Sequence, residues 1–393
     1  MTDSLVLAAD RVVTPDGVLS AGAVTITGGR IDTVAPADRG VRVLDGCTLV
    51  PGFVDIHVHG GGGHSMTTGD PDAVTGAAAF HRGHGTTTIL ASFVTAPVDE
   101  LADSAARLAA WLDAGGADGT GGRPCVAGIH YEGPFLAASR CGAQNPAFLV
   151  DPTPESGARL IDAAGRWLRM MTIAPERPGA IDLVAAVVAA GGVAAIGHTD
   201  ASFDEARRAI AAGATVATHL GNAMPPFLHR APGPIGASLD APELVCELIA
   251  DGHHLHDAFL GVVTRTKGAE GVALITDAIA AAGRPDGRYA LGGLDVEVRD
   301  GAARLVTDDA HPGSLAGSVL TMDAAFRRLV GLGVPLVTAS AAASTTPARV
   351  LGLAAETGAL RPGLRADVVV LDPDWQVRAV IAGGRLVAGT LDG

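Results

Sequence analysis

The stretch Phe53-Val54-Asp55-Ile56-His57-Val58-His59-Gly60-Gly61-Gly62-Gly63 decides how the rest of this 393-residue chain is read. In extended backbone successive side chains point to opposite faces, so Asp55, His57 and His59 line one side and Val54, Ile56 and Val58 the other. The apolar face predicts a strand set into a core. The polar face aims two imidazoles at one point, and neutral imidazole binds zinc, iron, cobalt and nickel well. The glycines that follow allow a sharp turn and leave room above the pair. Asp55 shares the face of His57, where it either supports that ligand or makes a buried hydrogen bond of its own.

Outward from this stretch, residues 51–349 alternate apolar strand-like runs with Ala-rich helical ones, the signature of parallel α/β architecture. The strand candidates are 53–59, 86–93, 125–132, 168–174, 193–198, 215–220, 246–251 and 272–277. Asp70-Pro71 predicts the cap and first turn of a helix ending near Gly83, and Asp200 to Ser202 begins another ending at Gly213. Eight such units over about 300 residues predict a (β/α)8 barrel, whose reactive groups lie at the C-terminal ends of its strands. A doubly wound open sheet is the structural alternative.

The ends of the chain read differently. Val24 to Thr27, Gly28-Gly29 and Arg30 to Val34 form a hairpin pattern, and the design returns in Val377 to Ile381, Gly383-Gly384 and Arg385 to Val387. Asp367 to Leu371 adds one more buried strand. Residues 1–50 and 350–393 are therefore expected to meet in one discontinuous β-sandwich domain, with the catalytic domain, 51–349, between them.

Composition narrows the function. The chain is 48% hydrophobic, yet no apolar run of membrane-spanning length is free of charge and glycine breaks. Met1-Thr2-Asp3-Ser4 lacks the basic and apolar regions of a signal peptide, and Cys47, Cys125, Cys141 and Cys246 are scattered, so a reducing cytoplasm is expected. A net charge of −14 argues against nucleic-acid and anionic-membrane partners while leaving room for one local anion pocket. Lys267 is the only lysine. Schiff-base or Walker-type chemistry would have to use it, and its setting, Thr264 to Gly268, reads as the solvated end of a helix.

Polar residues fall where the barrel would place a site: His57 and His59 on strand one, Glu132 on strand three, His198 on strand five, His219 on strand six and Asp277 on strand eight. Glu132, His198 and His219 can hold one metal ion, and His57 and His59 a second that shares Glu132 or a water. A metal ion lowers the pKa of its water, and Asp277 can take the proton and return it to a leaving group. That chemistry is hydrolysis of an unactivated bond.

These residues resemble the amidohydrolase superfamily. Within it, longer motifs are similar to those of the N-acetylglucosamine-6-phosphate deacetylase family: Pro51 to Asp55, His130-Tyr131-Glu132-Gly133-Pro134-Phe135, Gly197-His198-Thr199, His219 to Pro225, Ala250 to His254, Thr276-Asp277-Ala278 and Leu315-Ala316-Gly317-Ser318. The resemblance implies a divalent metal, with zinc first and iron, cobalt or manganese as alternatives, and cleavage of an acetamide from a phosphorylated amino sugar. It implies that Asp277 is base and acid, and that Asn222, the Ala223 backbone and Arg230 address the phosphate. His254 contacts substrate, with His253 and His256 as neighbouring alternatives, and Ala143, Gln144, Leu315 and Ala316 complete the substrate contacts. Many relatives carry histidine at the place of Gln144, in a loop expected to cover the substrate; glutamine hydrogen-bonds there without ever becoming a cation. Dimers or larger homo-oligomers are common among the relatives. Another amidohydrolase reaction, on a cyclic amide or an N-acyl amino acid, is the enzymatic alternative, and a catalytically silent metal-binding protein is the other.

Overall fold

The structure, a computed structural model, describes residues 4–41, 43–117, 119, 125–307 and 313–392. Strands β1 (Ser4–Thr14), β2 (Gly17–Thr27), β3 (Arg30–Pro36) and β4 (Val43–Pro51) from one end join β18 (Val368–Leu371), β19 (Val377–Ala382) and β20 (Arg385–Gly389) from the other. They form one seven-stranded sheet, in the order β20-β19-β18-β4-β1-β2-β3. The two ends of the chain therefore meet, as their paired glycine turns predict. Strand alternation explains how this sheet attaches to the rest. Val368 and Val370 enter the sheet's own core with Leu49, Ile26 and Ile381, whereas Val369 and Leu371 enter the main core with Val50 and Phe53. Consecutive residues of β18 thus feed two cores, which is why that strand reads as an uninterrupted apolar run.

The main body is an eight-stranded parallel sheet: β5 (Phe53–Asp55), then β8 (Thr86–Val94), β9 (Cys125–Glu132), β10 (Leu168–Ile173), β11 (Val193–Ile196), β12 (Val216–Ala217), β13 (Val245–Ile249) and β14 (Val272–Ile275). The skipped numbers are two short pairing segments, β6 (Gly60–Gly61) and β7 (His64–Ser65), at the exit of β5. Every strand candidate is found. The helices start where their caps predict: Asp70 accepts from the amides of Asp72 and Ala73 ahead of helix Pro71–Gly83, and Ser202 and Glu205 form a reciprocal capping box ahead of helix Phe203–Ala211. Among the described residues no helix is long and apolar enough to cross a membrane.

The seam between the first and last barrel strands is closed by side chains and by backbone beyond the ladders. Asp55 accepts from Thr276 Oγ1 at 2.6 Å and from the amides of Thr276 and His57, both at 3.3 Å. Burial pushes its pKa up to about 7 against those hydrogen bonds. Past the strands, the amide of Asp277 donates to His57 O, and those of His59 and Gly60 donate to Ala278 O. A Cβ on Gly60 would lie 2.4 Å from His64 O and 2.9 Å from Ala280 N, so only glycine allows the two exits to run this close.

Three features differ from expectation. The first barrel strand ends at Asp55, so His57 and His59 lie past the ladder, where the seam contacts and the bonds between Val58 and Ser92 hold their backbone. A three-stranded antiparallel sheet, β15 (Gly287–Leu291), β16 (Leu294–Arg299) and β17 (Ala302–Leu305), follows β14. Lys267, half-buried at the end of its helix, is also engaged: its Nζ donates to the carbonyls of Ser238 and Ala241 at 3.1 and 2.5 Å, capping the C-terminal end of helix Gly233–Asp240.

Helix Pro71–Gly83 also buries His81, whose Nε2 donates to Gly60 O at 2.9 Å while Nδ1 has no partner among the described residues. Burial pulls its pKa down to about 4. The unfolded chain then binds a proton that the native state refuses, so the neutral ring's contribution is complete above about pH 6.5 and declines between 6.5 and 4, by roughly 3 kcal/mol in all. Denaturant melts across that range should show a shallower acid limb for His81→Leu than for wild type. Identical slopes would remove His81 as the acid-sensitive group.

Candidate metal centre

Four of the barrel strands deliver their ligand-type residue two positions past the last paired residue: His57 after Asp55, His198 after Ile196, His219 after Ala217 and Asp277 after Ile275. Glu132 is the last residue of β9, and His59 follows His57 by two. His198, His219 and Asp277 have positive φ angles of 46°, 29° and 51°, and Ala223 beside them one of 50°. Non-glycine residues adopt this region at a cost that a packed surround must hold, and such strain concentrates at functional sites.

The six side chains converge and are buried. Glu132 is their centre. Its Oε1 lies 3.0 Å from His198 Nε2, 2.9 Å from His219 Nε2 and 3.4 Å from His57 Nε2, and its Oε2 lies 3.1 Å from His59 Nε2. His57 and His59 bring their Nε2 atoms to 3.2 Å, as do His198 and His219 to 3.1 Å. Asp277 Oδ1 is 3.2 Å from His59 Nε2. The ligand atoms form two groups, His57, His59, Glu132 and Asp277 in one and Glu132, His198 and His219 in the other, each with all atoms within 4.8 Å of one another.

Tautomers decide whether this arrangement suits a metal. His59 Nδ1 donates to Ser92 O at 3.1 Å and His198 Nδ1 to Arg140 O at 2.8 Å. A carbonyl can only accept, so in the neutral rings both Nε2 lone pairs face the carboxylate of Glu132. His57 is held likewise, its Nδ1 3.1 Å from Glu247 Oε2. Lone pairs facing lone pairs in a buried space need a cation between them. Separations near 3 Å match the ligand–ligand edge of about 3.3 Å around a tetrahedral ion with bonds near 2 Å. The residues fit a divalent metal.

The same contacts set the titration of the cluster. Burial disfavours charge on His59, but its hydrogen bonds to Asp277 and Glu132 raise its pKa to about 9; Glu132 and Glu247 raise that of His57 against the same burial. Burial also opposes ionisation of Glu132, yet His57, His198 and His219 hold its carboxyl well below the usual range. Asp277 is likewise held low by His59 and His57 against burial. Beneath the cluster lies a neutral floor: His130 bridges Ser92 Oγ and Thr172 Oγ1 at 2.9 Å each, and burial first, then the field of His57, keeps it uncharged.

The cluster opens into a cavity of about 410 Å³ lined also by Ala143, Gln144, Asn222, Ala223, His254 and Leu315. Ala316 is buried directly behind, its amide bonded to Ala303 O. Asp251 grips His254 through its Nδ1 at 2.7 Å and its amide at 2.9 Å. Of the neighbouring histidines, His256 instead caps helix Asp257–Lys267 by accepting from the amide of Ala258. Gln144 is buried: its Nε2 donates to Glu132 Oε2 at 2.6 Å while its Oε1 accepts from the amide of Thr95 at 2.7 Å, so it braces the central carboxylate. Arg230 does not line the cavity. It sits in an exposed loop beside exposed Phe227 and Leu228.

Sequence reading missed Glu247, the brace given by Gln144, and two cations at the cavity wall. Arg140 pairs with Asp200 at 2.9 Å, and Arg304 of β17 donates to Gly313 O at 3.1 Å. A lone glutamate inside the apolar run Val245 to Ile249 was a legible signal; a cation supplied by an unexpected sheet was not.

The amidohydrolase family profile matches residues 48–387, and the chain belongs to that family. The family is metal-dependent, and this chain carries a His, Glu and Asp cluster able to hold the metal. More particular likenesses cover nearly its full length. An N-acetylgalactosamine-6-phosphate deacetylase of Escherichia coli O157:H7 is 35% identical over 98% of this chain and 99% of its own. An N-acetylglucosamine-6-phosphate deacetylase of Bacillus subtilis (strain 168) is 32% identical over 98% of each. The solved structure of a mutant N-acetyl-D-glucosamine-6-phosphate deacetylase from Mycobacterium smegmatis, in complex with N-acetyl-D-glucosamine-6-phosphate, superposes with a TM-score of 0.91. It is 42% identical over 98% of this chain and 100% of that one.

Proposed function

We propose that this protein is a cytoplasmic, metal-dependent deacetylase that converts N-acetylglucosamine 6-phosphate to glucosamine 6-phosphate and acetate. The observation that carries the reading is one cavity that joins the ligand cluster and Asp277 to Asn222, Ala223 and His254. The full-length likeness to deacetylases of 6-phosphorylated N-acetylhexosamines supports it.

In this reading Glu132, His198 and His219 hold the principal ion and His57 and His59 a second, with zinc as the first choice of metal. The bound metal polarises the acetyl carbonyl and acidifies water. Asp277 takes the proton as the water oxygen bonds to the acetyl carbon, then delivers it to the sugar nitrogen as the C–N bond breaks, leaving acetate and the amine. Asn222 and the Ala223 amide face the phosphate, with His254, while Ala143, Gln144, Leu315 and Ala316 form the wall around the sugar. A homodimer completes the site: the loop with exposed Phe227 and Leu228 docks on a second copy and carries Arg230 to its phosphate pocket.

Acetate release by zinc-loaded protein tests the whole reading. N-acetylglucosamine 6-phosphate should be hydrolysed at least about 10²-fold faster in kcat/KM than the unphosphorylated sugar, the scale of one lost set of charge-assisted hydrogen bonds. N-acetylgalactosamine 6-phosphate, alike at the acetamide and phosphate, belongs in the same assay. Equal rates with and without phosphate would return the substrate to the wider family.

A further inference from the structure

We propose that Glu247 is the positioning residue that builds the second ion site, acting through His57; the inference rests on the two-ion reading given above. Glu247 lies in the middle of β13, wholly buried among Val245, Cys246, Leu248 and Ile249. Its Oε2 is 3.1 Å from His57 Nδ1 and accepts from the amide of His219 at 3.2 Å, while Oε1 has no partner among the described residues. It does not line the cavity. It therefore touches the backs of two ligand residues, one from each group, and neither substrate nor ion.

The contact with His57 does two things. A carboxylate at Nδ1 keeps the proton on that nitrogen and leaves the Nε2 lone pair facing His59 and Glu132. It also balances charge. The ring of His57 is within 3.6 Å of three carboxylates, those of Glu132, Glu247 and Asp277. Three negative charges against two dications leave one positive charge; with Glu247 neutral, two negative charges are already matched by a single dication. A second ion entering that buried space would then meet uncompensated charge. The backbone of β13 is paired on both sides, with β12 and β14, so the carboxylate is fixed before any ion arrives.

His57 belongs only to the group with His59 and Asp277. Losing the Glu247 charge should therefore weaken the second ion and spare the first. His219 uses only a backbone amide on Glu247, and the carbonyl oxygen of glutamine can still accept from it.

The test titrates metal-depleted protein with zinc by calorimetry and measures bound zinc after dialysis, for wild type, Glu247→Gln, Glu247→Asp, His57→Asn and the double variant His57→Asn/Glu247→Gln. Wild type should hold two equivalents. Glu247→Gln should keep the first at wild-type affinity and bind the second about 10- to 100-fold more weakly. Adding Glu247→Gln to His57→Asn should cause no further loss, because the two act as one unit. Should the glutamine variant not fold, Glu247→Asp carries the same question, since it keeps the charge but withdraws it from His57; a weakened second ion supports the proposal. Two ions held at wild-type affinity by either variant, loss of both ions together, or an additive double variant would overturn the role of Glu247 alone. Fewer than two ions in wild type would overturn the two-ion reading and this inference with it.

Discussion

Asp277→Asn should retain the principal zinc ion and lower kcat by about 10³-fold, roughly 4 kcal/mol of barrier. The substitution removes the proton acceptor and one of the three negative charges around His57, while Glu132, His198 and His219 stay in place. Asparagine keeps an oxygen where Asp277 Oδ1 lies, 3.2 Å from His59 Nε2, and the backbone contacts that fix residue 277, its amide to His57 O and its carbonyl from the amide of Ser318, do not involve the side chain. What it cannot do is carry a proton from water to the sugar nitrogen. KM for the phosphorylated substrate should stay within a few-fold, since Asn222, Ala223 and His254, which line the same cavity, are unchanged. Zinc analysis beside steady-state kinetics checks both halves. Near-normal turnover would eliminate Asp277 as the proton carrier, and loss of the principal zinc would make it chiefly a ligand.

How far the sequence revealed this site depends on where each residue's constraint originates. The eight barrel strands were legible because each must bury apolar side chains along a short run bounded by turn residues, a local requirement. His57 and His59 were legible from their spacing, although β5 stops at Asp55: their backbone is held by amides and carbonyls exchanged with Asp277 and Ala278 more than two hundred residues away, and their rings by Glu247 and Ser92. No local period encodes that. The sheet of β15 to β17 carried the same signal as the terminal hairpins, Gly292-Gly293 between two strand-like runs, but an expectation of alternating strands and helices has no place for it. Gln144 looked like a loop residue because its neighbours are loop residues. Only its two partners, Glu132 and Thr95, reveal a buried brace. Arg230, expected at the phosphate, lies in an exposed loop and does not line the cavity, a placement no local pattern encodes.

Among single substitutions, Glu132→Ala is expected to remove the most metal, because this carboxylate alone belongs to both ligand groups. Oε1 serves His198 and His219, and Oε2 serves His59. Without it the first group keeps two imidazoles and Asp277, and the second only His198 and His219. Each ion loses a negative ligand in a buried space, where stripping one partner from a charge pair costs about 3–5 kcal/mol. Both sites should therefore weaken by roughly 10²- to 10³-fold or more. His198→Ala, by contrast, should cost the principal ion and leave the group around His57 and His59 in place. Melting temperature separates the cases through linkage: an ion bound only by the native state raises stability, so a chelator should lower the melting temperature of wild type. It should lower that of His198→Ala by less, and leave Glu132→Ala unmoved. If Glu132→Ala retained two zinc equivalents and the wild-type response to chelator, the ions would have to sit elsewhere, and the convergence of four imidazoles on this carboxylate would need another cause.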